Sequence, residues 1–410
     1  MAIIDRFFVR AFKRGTLQVT YADGSVRTFG APDPEFPDIA IRFADRATPG
    51  RILRDPSLGL AEAFIEGRAT IERGDIMGLL ALATANNRWE AATGALDPNA
   101  AARTVTWIRR KIDQYNRTRV SRQNVKHHYD IGNALYDLFL DADRQYSCAY
   151  FLDPGESLEQ AQLDKKAHIA AKLALTPGMR VLDIGCGWGG MALYLHQTYG
   201  VDVLGITLSD EQIKTANQRA ADAGVADHVK FALTDYREQT GSFDRIVSVG
   251  MFEHVGPPQY RTFFKKCRDL LTEDGVMLVH TIGRAGGPGV TDEFTARYIF
   301  PGGYIPALSE IAKGYEGLRY YMTDCEVLRL HYAYTLQTWY DRAVANKDKI
   351  VAMYDETFFR MWTFYLAGSC VSFRYGGMVN YQLQFARNRH ALPITRDYML
   401  AEERRIAGKA

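Results

Sequence analysis

Apolar residues arrive in short blocks along the second half of the chain: VLDIG from Val181, VDVLGIT from Val201, HVKFAL from His228, FDRIVSV from Phe243 and VMLVHTI from Val276. Blocks of this length suit strands buried on both faces, where the two-residue alternation is lost. Longer stretches at helical spacing separate them, including Ser209 to Ala223 and Gln259 to Leu271. Strand and helix in alternation predict a parallel sheet with helices on both faces. The first hundred residues have a different rhythm. LQVTY and SVRTF flank Ala22-Asp23-Gly24 as a hairpin would, DIAIRF from Asp38 reads as another strand, and Ile76 to Ala83 and Thr104 to Ile112 read as helices. The pattern predicts a smaller α+β domain over residues 1–120 and an α/β domain over 121–410.

A chain of 410 residues is long enough to bury two cores. Its formal net charge of +2 argues, by bulk electrostatics, against nucleic acid as a partner. Cys148, Cys186, Cys267, Cys325 and Cys370 are dispersed, odd in number and without paired metal spacing, which fits a reducing compartment better than a disulfide framework. There is no apolar run of about 18 residues and no signal-peptide layout at the start, so the chain is expected to be soluble. Contact with a membrane surface stays open. Between the domains Arg103, Arg109, Arg110, Lys111, Arg117, Arg119, Arg122 and Lys126 are opposed only by Asp113. Such a run is either a solvated face or a patch attracted to anionic headgroups by roughly 1 kcal/mol per charge, weakening with salt. The opening IIDRFFVRAFKR is compatible with an interfacial helix and equally with a helix packed on its domain through Phe7, Phe8 and Phe12.

The run VLDIGCGWGG reads as a buried strand ending in Asp183, followed by glycines at 185, 187, 189 and 190. Glycine lets backbone pass close to a cofactor where a Cβ would obstruct it. Such a turn serves S-adenosylmethionine (SAM), a nicotinamide dinucleotide, or packing alone. The next strand ends in Thr207 and Ser209, without the acid that usually holds an NAD ribose. The spacing also lacks the fingerprint that delivers a pyrophosphate to a helix N-terminus. SAM is therefore favoured over a dinucleotide and a structural turn. Asp183 is placed to orient the turn or to accept a hydrogen bond from the cofactor, and Asp235 and Tyr236 to meet the adenine. Ser209 and Gln212 have capping-box spacing, with helix capping and a cofactor contact both open. Open α/β sheets put their crevice at strand ends, where Glu253 and His254 follow FDRIVSV and His280 follows VMLV. Taken singly, Glu253 also reads as a helix cap and His280 as a core histidine.

An ordered set of strings goes further: HHYDIGN from His127, YSCAYF from Tyr146, VLDIGCGWGG, GITLSDEQ from Gly205, MFEHVG from Met251, RYIFPGGYIP from Arg297 and HYAYTLQTW from His331. From about Asn124 almost to the C-terminus the chain resembles the cyclopropane-fatty-acyl-phospholipid synthase family, with its mycolic-acid cyclopropane relatives. The resemblance implies a SAM-dependent methyltransferase-type Rossmann-like sheet beside the smaller N-terminal α+β domain. It implies transfer of a methylene group from SAM to a cis double bond of a phospholipid acyl chain, with an acyl slot that excludes water. Transfer without ring closure, methylation of a phospholipid amine and a non-catalytic lipid-binding shell are the alternatives. The base it implies is a bicarbonate ion in a cage of Cys148, Glu253, His280 and Tyr332. Cys148 reads there as an orienting group rather than a nucleophile, and Tyr332 also reads as core packing. For SAM the resemblance adds Tyr146, Ser147, Gly185, Gly187, Thr207, Leu208 and Gln212. Cys370 matches a family cysteine and reads as pocket wall, and Phe358, Phe359, Trp362 and Phe364 line either the acyl slot or a core. A cytoplasmic protein at the inner face of the membrane, and a homodimer, complete the expectation.

Overall fold

The computed structural model describes residues 3–91 and 132–406. The helix expected at Thr104 to Ile112, the basic run from Arg103 to Lys126 and most of HHYDIGN lie outside them. The described chain divides into two compact units.

In the larger unit, seven strands form one sheet: β5 (Arg180–Ile184), β6 (Asp202–Thr207), β7 (Val229–Leu233), β8 (Phe243–Val249), β9 (Leu271–Arg284), β10 (Tyr321–Leu328) and β11 (Met378–Ala386). Their order is β10-β11-β9-β8-β5-β6-β7. The pairs β5/β6, β6/β7, β5/β8 and β8/β9 are parallel, and β10/β11 is antiparallel. Adjacent residues of one strand serve opposite cores. Leu182, Ile184, Ile246, Met277 and Val279 pack on one face with Phe263 and Phe264 of the helix Tyr260–Leu270. Val181, Val203, Val247 and Leu278 pack on the other with Ile169 and Leu173 of the helix Leu158–Leu173. Burial on both sides explains the unbroken apolar blocks in the sequence, each large side chain contributing about 1.5–3 kcal/mol. Strand order reverses between β5 and β8, where an α/β sheet opens its ligand crevice.

The smaller unit has β1 (Gly15–Thr20), β2 (Val26–Ala31), β3 (Asp38–Phe43) and β4 (Ala69–Arg73) in the order β2-β1-β3-β4. β1 and β2 form the expected hairpin, and β3 pairs parallel to β1. The opening segment forms the helix Ile3–Ala11. Phe8 and Phe12 are buried, and Ile3, Arg6, Val9 and Arg10 are exposed. Buried Asp5 accepts from Tyr21 Oη at 2.6 Å and pairs with Arg27.

The division differs from a single boundary near residue 120. Thr291–Pro301 and Ala333–Met378 group with the N-terminal residues. The reason is apolar packing: the helix Glu356–Arg374 lies on the helices Pro56–Ile65 and Ile76–Ala85, with the Phe364 ring 4.9 Å from Phe294 and 6.2 Å from Phe64. Phe359, Trp362 and Phe364 are buried in this unit, and Phe358 stacks on Tyr354. Cys370 Sγ there contacts the Ala333 carbonyl at 3.4 Å.

A buried cation holds one junction of the larger unit. The helix Leu158–Leu173 ends on Ala174 in a left-handed conformation, and the Arg245 guanidinium donates to the carbonyls of Leu173 and, at 2.9 Å, Ala174. It also donates to Asp244 O at 2.8 Å and Asp274 O at 3.3 Å. Replacing Arg245 by Met leaves these buried acceptors unmet. A loss of about 2–4 kcal/mol in denaturant unfolding is expected, and an unchanged midpoint would remove this account.

Candidate active site

Strand ends build one cavity within the larger unit. Asp183 through Trp188 form its floor after β5, Ile206 to Leu208 continue from β6, Thr234 to Arg237 from β7, and Val249 to Met251 from β8. The segment Arg144 to Ser147 closes a side, with Gln212, His254, Val255 and Gln259 completing the lining. Tyr146, Ser147, Asp183, Gly185, Gly187, Thr207, Leu208, Gln212, Asp235 and Tyr236 thus all face one space.

The glycine turn works through conformation and closeness. Gly185 and Gly187 stand at φ of 84° and 54°, a region that costs other residues roughly 1–2 kcal/mol. A Cβ on Gly185 would lie 2.8 Å from Met251 Cβ, whereas one on Gly187 meets no protein atom within 4 Å and would project into free space. Ser209 caps the next helix by accepting from Gln212 N at 3.3 Å. The Gln212 side chain does not return the bond: Thr207 Oγ1 donates to its Oε1 at 2.8 Å, so its amide nitrogen remains a donor at the cavity wall. Arg237 holds both carboxylate oxygens of Asp235, one at 2.8 Å. Tyr236 meets Phe263 edge to face at 5.3 Å, and burial raises its phenol pKa.

Asp183 is buried, and its Oδ2 has no hydrogen-bond partner among the described residues. Burial pushes its carboxyl up to about 7 against the opposing charge of Lys165. An unmet buried acceptor at a cavity wall calls for a cationic or donating ligand. SAM carries both a sulfonium and an ammonium, so it fits this acceptor and the cradle at Gly187.

The sequence reading missed what holds the segment Gln145–Ser147. Gln162 Nε2 donates to Gln145 O and Ser147 O at 3.1 and 3.0 Å. Lys165 Nζ donates to Gln145 Oε1 and Ser147 Oγ, both at 2.8 Å. Burial pulls the Lys165 ammonium down to about 8. Gln162, Lys165, His168 and Lys172 recur at helical spacing but are all buried, and such a stripe normally reads as a solvent face. His254 also lines the cavity, and burial lowers its imidazole to about 4.

The four residues expected to form an anion cage do not line this cavity. Cys148 is buried next to Ser147, with its thiol pKa raised by burial and Sγ 3.3 Å from Ala149 O. Such a thiol is no nucleophile. Glu253 lies in the short turn Phe252–His254 between cavity residues Met251 and His254. Its Oε1 accepts from Ile282 N at 2.6 Å, Oε2 lacks a hydrogen-bond partner among the described residues, and burial raises the carboxyl pKa. His280 is buried with Asn380 Nδ2 3.2 Å from Nε2 and Gln382 Nε2 3.1 Å from Nδ1. Both ring nitrogens therefore engage β11. Tyr332 is buried near the start of the helix His331–Ala345.

This sheet and its strand-end cavity are those of a SAM-dependent methyl- or methylene-transferring enzyme, with SAM as the donor. The family described as Mycolic acid cyclopropane synthetase matches residues 116–383, and the chain belongs to that family. A domain of unknown function, DUF7884, matches residues 3–91. The chain is 37% identical over 375 residues to a probable fatty acid methyltransferase of Pseudomonas putida, covering 88% of this chain and 92% of that one. It is 39% identical over 345 residues to cyclopropane-fatty-acyl-phospholipid synthase of Escherichia coli K12, covering 82% and 85%. The crystal structure of mycolic acid cyclopropane synthase CmaA1 complexed with SAH and CTAB aligns with a TM-score of 0.62 at 34% identity, covering 65% of this chain and 98% of that one.

Two outcomes follow for SAM. Gly187→Val puts a branched side chain into the cavity, so calorimetry should show SAM affinity reduced about 100-fold or more in a folded protein. Undiminished affinity would remove SAM from this turn. Below about pH 7 the free protein holds Asp183 protonated, and a cationic ligand favours the carboxylate. SAM binding near pH 6 should therefore release a proton, seen by titration in buffers of different ionisation heat. The release should fade as pH rises past 7 and vanish in Asp183→Asn.

Proposed function

We propose that the protein transfers a methylene group from SAM to a cis double bond of an unsaturated phospholipid acyl chain, closing a cyclopropane ring. The observation that carries this reading is Glu253: a buried carboxyl with one unengaged oxygen, flanked in its turn by cavity residues Met251 and His254. A plain methyl transfer to a nucleophile needs no group that takes a proton from the added methyl. Ring closure does, because the added methyl must lose a proton.

When bound, SAM supplies an electrophilic methyl to the alkene, and positive charge develops on the acyl chain. In this reading Tyr146, Ser147, Gly185, Gly187, Thr207, Leu208 and Gln212 hold the donor, Asp183 meets its charge, and Asp235 and Tyr236 flank its adenine. Neutral His254 and protonated Cys148 add no positive charge to the surroundings. Glu253, whose carboxyl pKa burial raises, would hold a bicarbonate ion there, and that ion would supply the proton acceptor. Cys148 and Tyr332 complete that cage, with His280 acting on it through β11.

Docking on the inner face of the membrane from the cytoplasm belongs to the same proposal. Exposed Ile3 and Val9 beside Arg6 and Arg10 support it, and among the described residues no helix is long and apolar enough to cross a membrane. A homodimer is part of the same proposal. Methyl transfer to the alkene without ring closure is the second reading, favoured by the relative called a probable fatty acid methyltransferase.

Incubation with SAM and vesicles of cis-monounsaturated phospholipid should give acyl chains with cyclopropyl proton signals and no remaining alkene at that position. A branched chain without those signals would establish the second reading, and turnover of free fatty acid or acyl thioester alone would remove the phospholipid. Glu253→Gln should lower turnover about 100-fold or more with SAM affinity little changed. Normal turnover by both this variant and the unmodified enzyme in bicarbonate-free buffer would overturn the cage.

A further inference from the structure

His280 has two ring nitrogens, and β11 brings one amide to each. The Gln382 amide is 3.1 Å from Nδ1 and the Asn380 amide 3.2 Å from Nε2. The other end of the Gln382 amide, Oε1, accepts from Lys172 Nζ at 2.9 Å. An ammonium has three donors and no acceptor, so the Gln382 oxygen must face the lysine and its nitrogen must face the ring. Nδ1 is then an acceptor, and the proton of the neutral imidazole sits on Nε2. That N–H needs an acceptor, which the Asn380 amide supplies when its oxygen is turned to the ring. Among the described residues Asn380 Oδ1 as placed is a buried oxygen without a hydrogen-bond partner, and turning the amide would pair it with the ring N–H.

Lys172 is itself fixed. Its Nζ donates to Glu326 Oε2 at 2.5 Å and lies 3.5 Å from Asp324 Oδ2. Glu326 also meets His168 Nε2 at 2.6 Å, and the other nitrogen of that ring pairs with Glu403. His168 stacks on Tyr150 with ring centres 4.0 Å apart. Burial disfavours charge on His280, and the cations Lys165, Lys172 and His168 reinforce this against the opposing carboxylate of Glu326. Burial alone would lower His168, yet hydrogen bonds to Glu326 and Glu403 outweigh it and raise its pKa.

We propose that Lys172 is a positioning residue that, through Gln382, fixes His280 as a neutral imidazole protonated on Nε2. The assignment of the proton stands on the hydrogen bonds alone, and its consequence for turnover rests on the function proposed above. A neutral ring places no cation beside an acyl chain on which positive charge develops. A single tautomer also keeps the Asn380 amide, and with it this end of β11, in one orientation.

The test is nitrogen-15 NMR of the full chain, with the His280 signals assigned by their loss in His280→Gln among the nine histidines. The unmodified protein should show the Nε2–H pattern without titration between about pH 6 and 8. Lys172→Met should give mixed tautomers and a titrating ring. Gln382→Glu, which places an acceptor at Nδ1, should shift the proton there and keeps the test decisive if Lys172→Met does not fold. In either variant kcat should fall at least about tenfold, with a new acidic limb in its pH profile and SAM affinity unchanged. An Nδ1–H ring in the unmodified protein, or an unmoved tautomer in the variants, overturns the assignment. A moved tautomer with unchanged kcat and pH profile overturns the positioning role. The expected tautomers in a protein that leaves phospholipid untouched support the assignment and sink the proposed function instead.

Discussion

The helix Leu158–Leu173 carries charge into the interior of the larger unit, and much of the site is arranged to meet it. Lys165 and Lys172 are almost fully buried. A desolvated ammonium costs several kcal/mol unless its donors are met. Meeting them fixes the neighbours: Lys165 binds Gln145 and Ser147 on one side, and Lys172 binds Glu326 and Gln382 on another. The segment that walls the cavity and the strand that clamps His280 are therefore held from one helix. The polar stripe is costly in isolation and acts as a positioning frame once paired.

Around that frame the cavity wall carries the ion pair of Arg237 with Asp235. Asp183 and Glu253 are both buried, each with one oxygen that has no hydrogen-bond partner among the described residues, and each with a raised pKa. His254 is held neutral. Low local dielectric makes each of these groups responsive to charge brought by a ligand. In the proposed reading a cationic cofactor meets Asp183 at the glycine turn, and the Glu253 carboxyl lies in the turn after β8. Two acids in different surroundings can take different roles, one meeting charge and one handling a proton.

The strand blocks, the glycine turn and the ten cavity residues named from sequence are local features. Asp183, Asp235 and Tyr236 follow from their strand ends, and the other seven come from the short strings that carry the family resemblance. VLDIGCGWGG needs a strand and left-handed glycines, and GITLSDEQ needs a strand, a cap and Gln212. Residues that act across the fold were harder. Lys165 and Lys172 look like solvated helix positions until the helix is buried, and the role of Gln382 depends on strands more than one hundred residues apart. The grouping of Ala333–Met378 with the N-terminal residues was hidden for the same reason, since Phe364 meets Phe64 and Phe294 from distant parts of the chain.

The sequence by itself determined the alternation of strand and helix, the SAM-type turn with no acid after the next strand, and the family strings. All of these are written in short-range spacing, which backbone geometry and burial convert directly into structure. Tertiary structure alone decided which unit the helix Glu356–Arg374 joins and which buried carboxyls keep one oxygen without a hydrogen-bond partner among the described residues. It also decided that both nitrogens of His280 are spent on β11. These depend on which surfaces meet and which donors find acceptors, and a hydrogen bond between distant residues leaves no period in the chain.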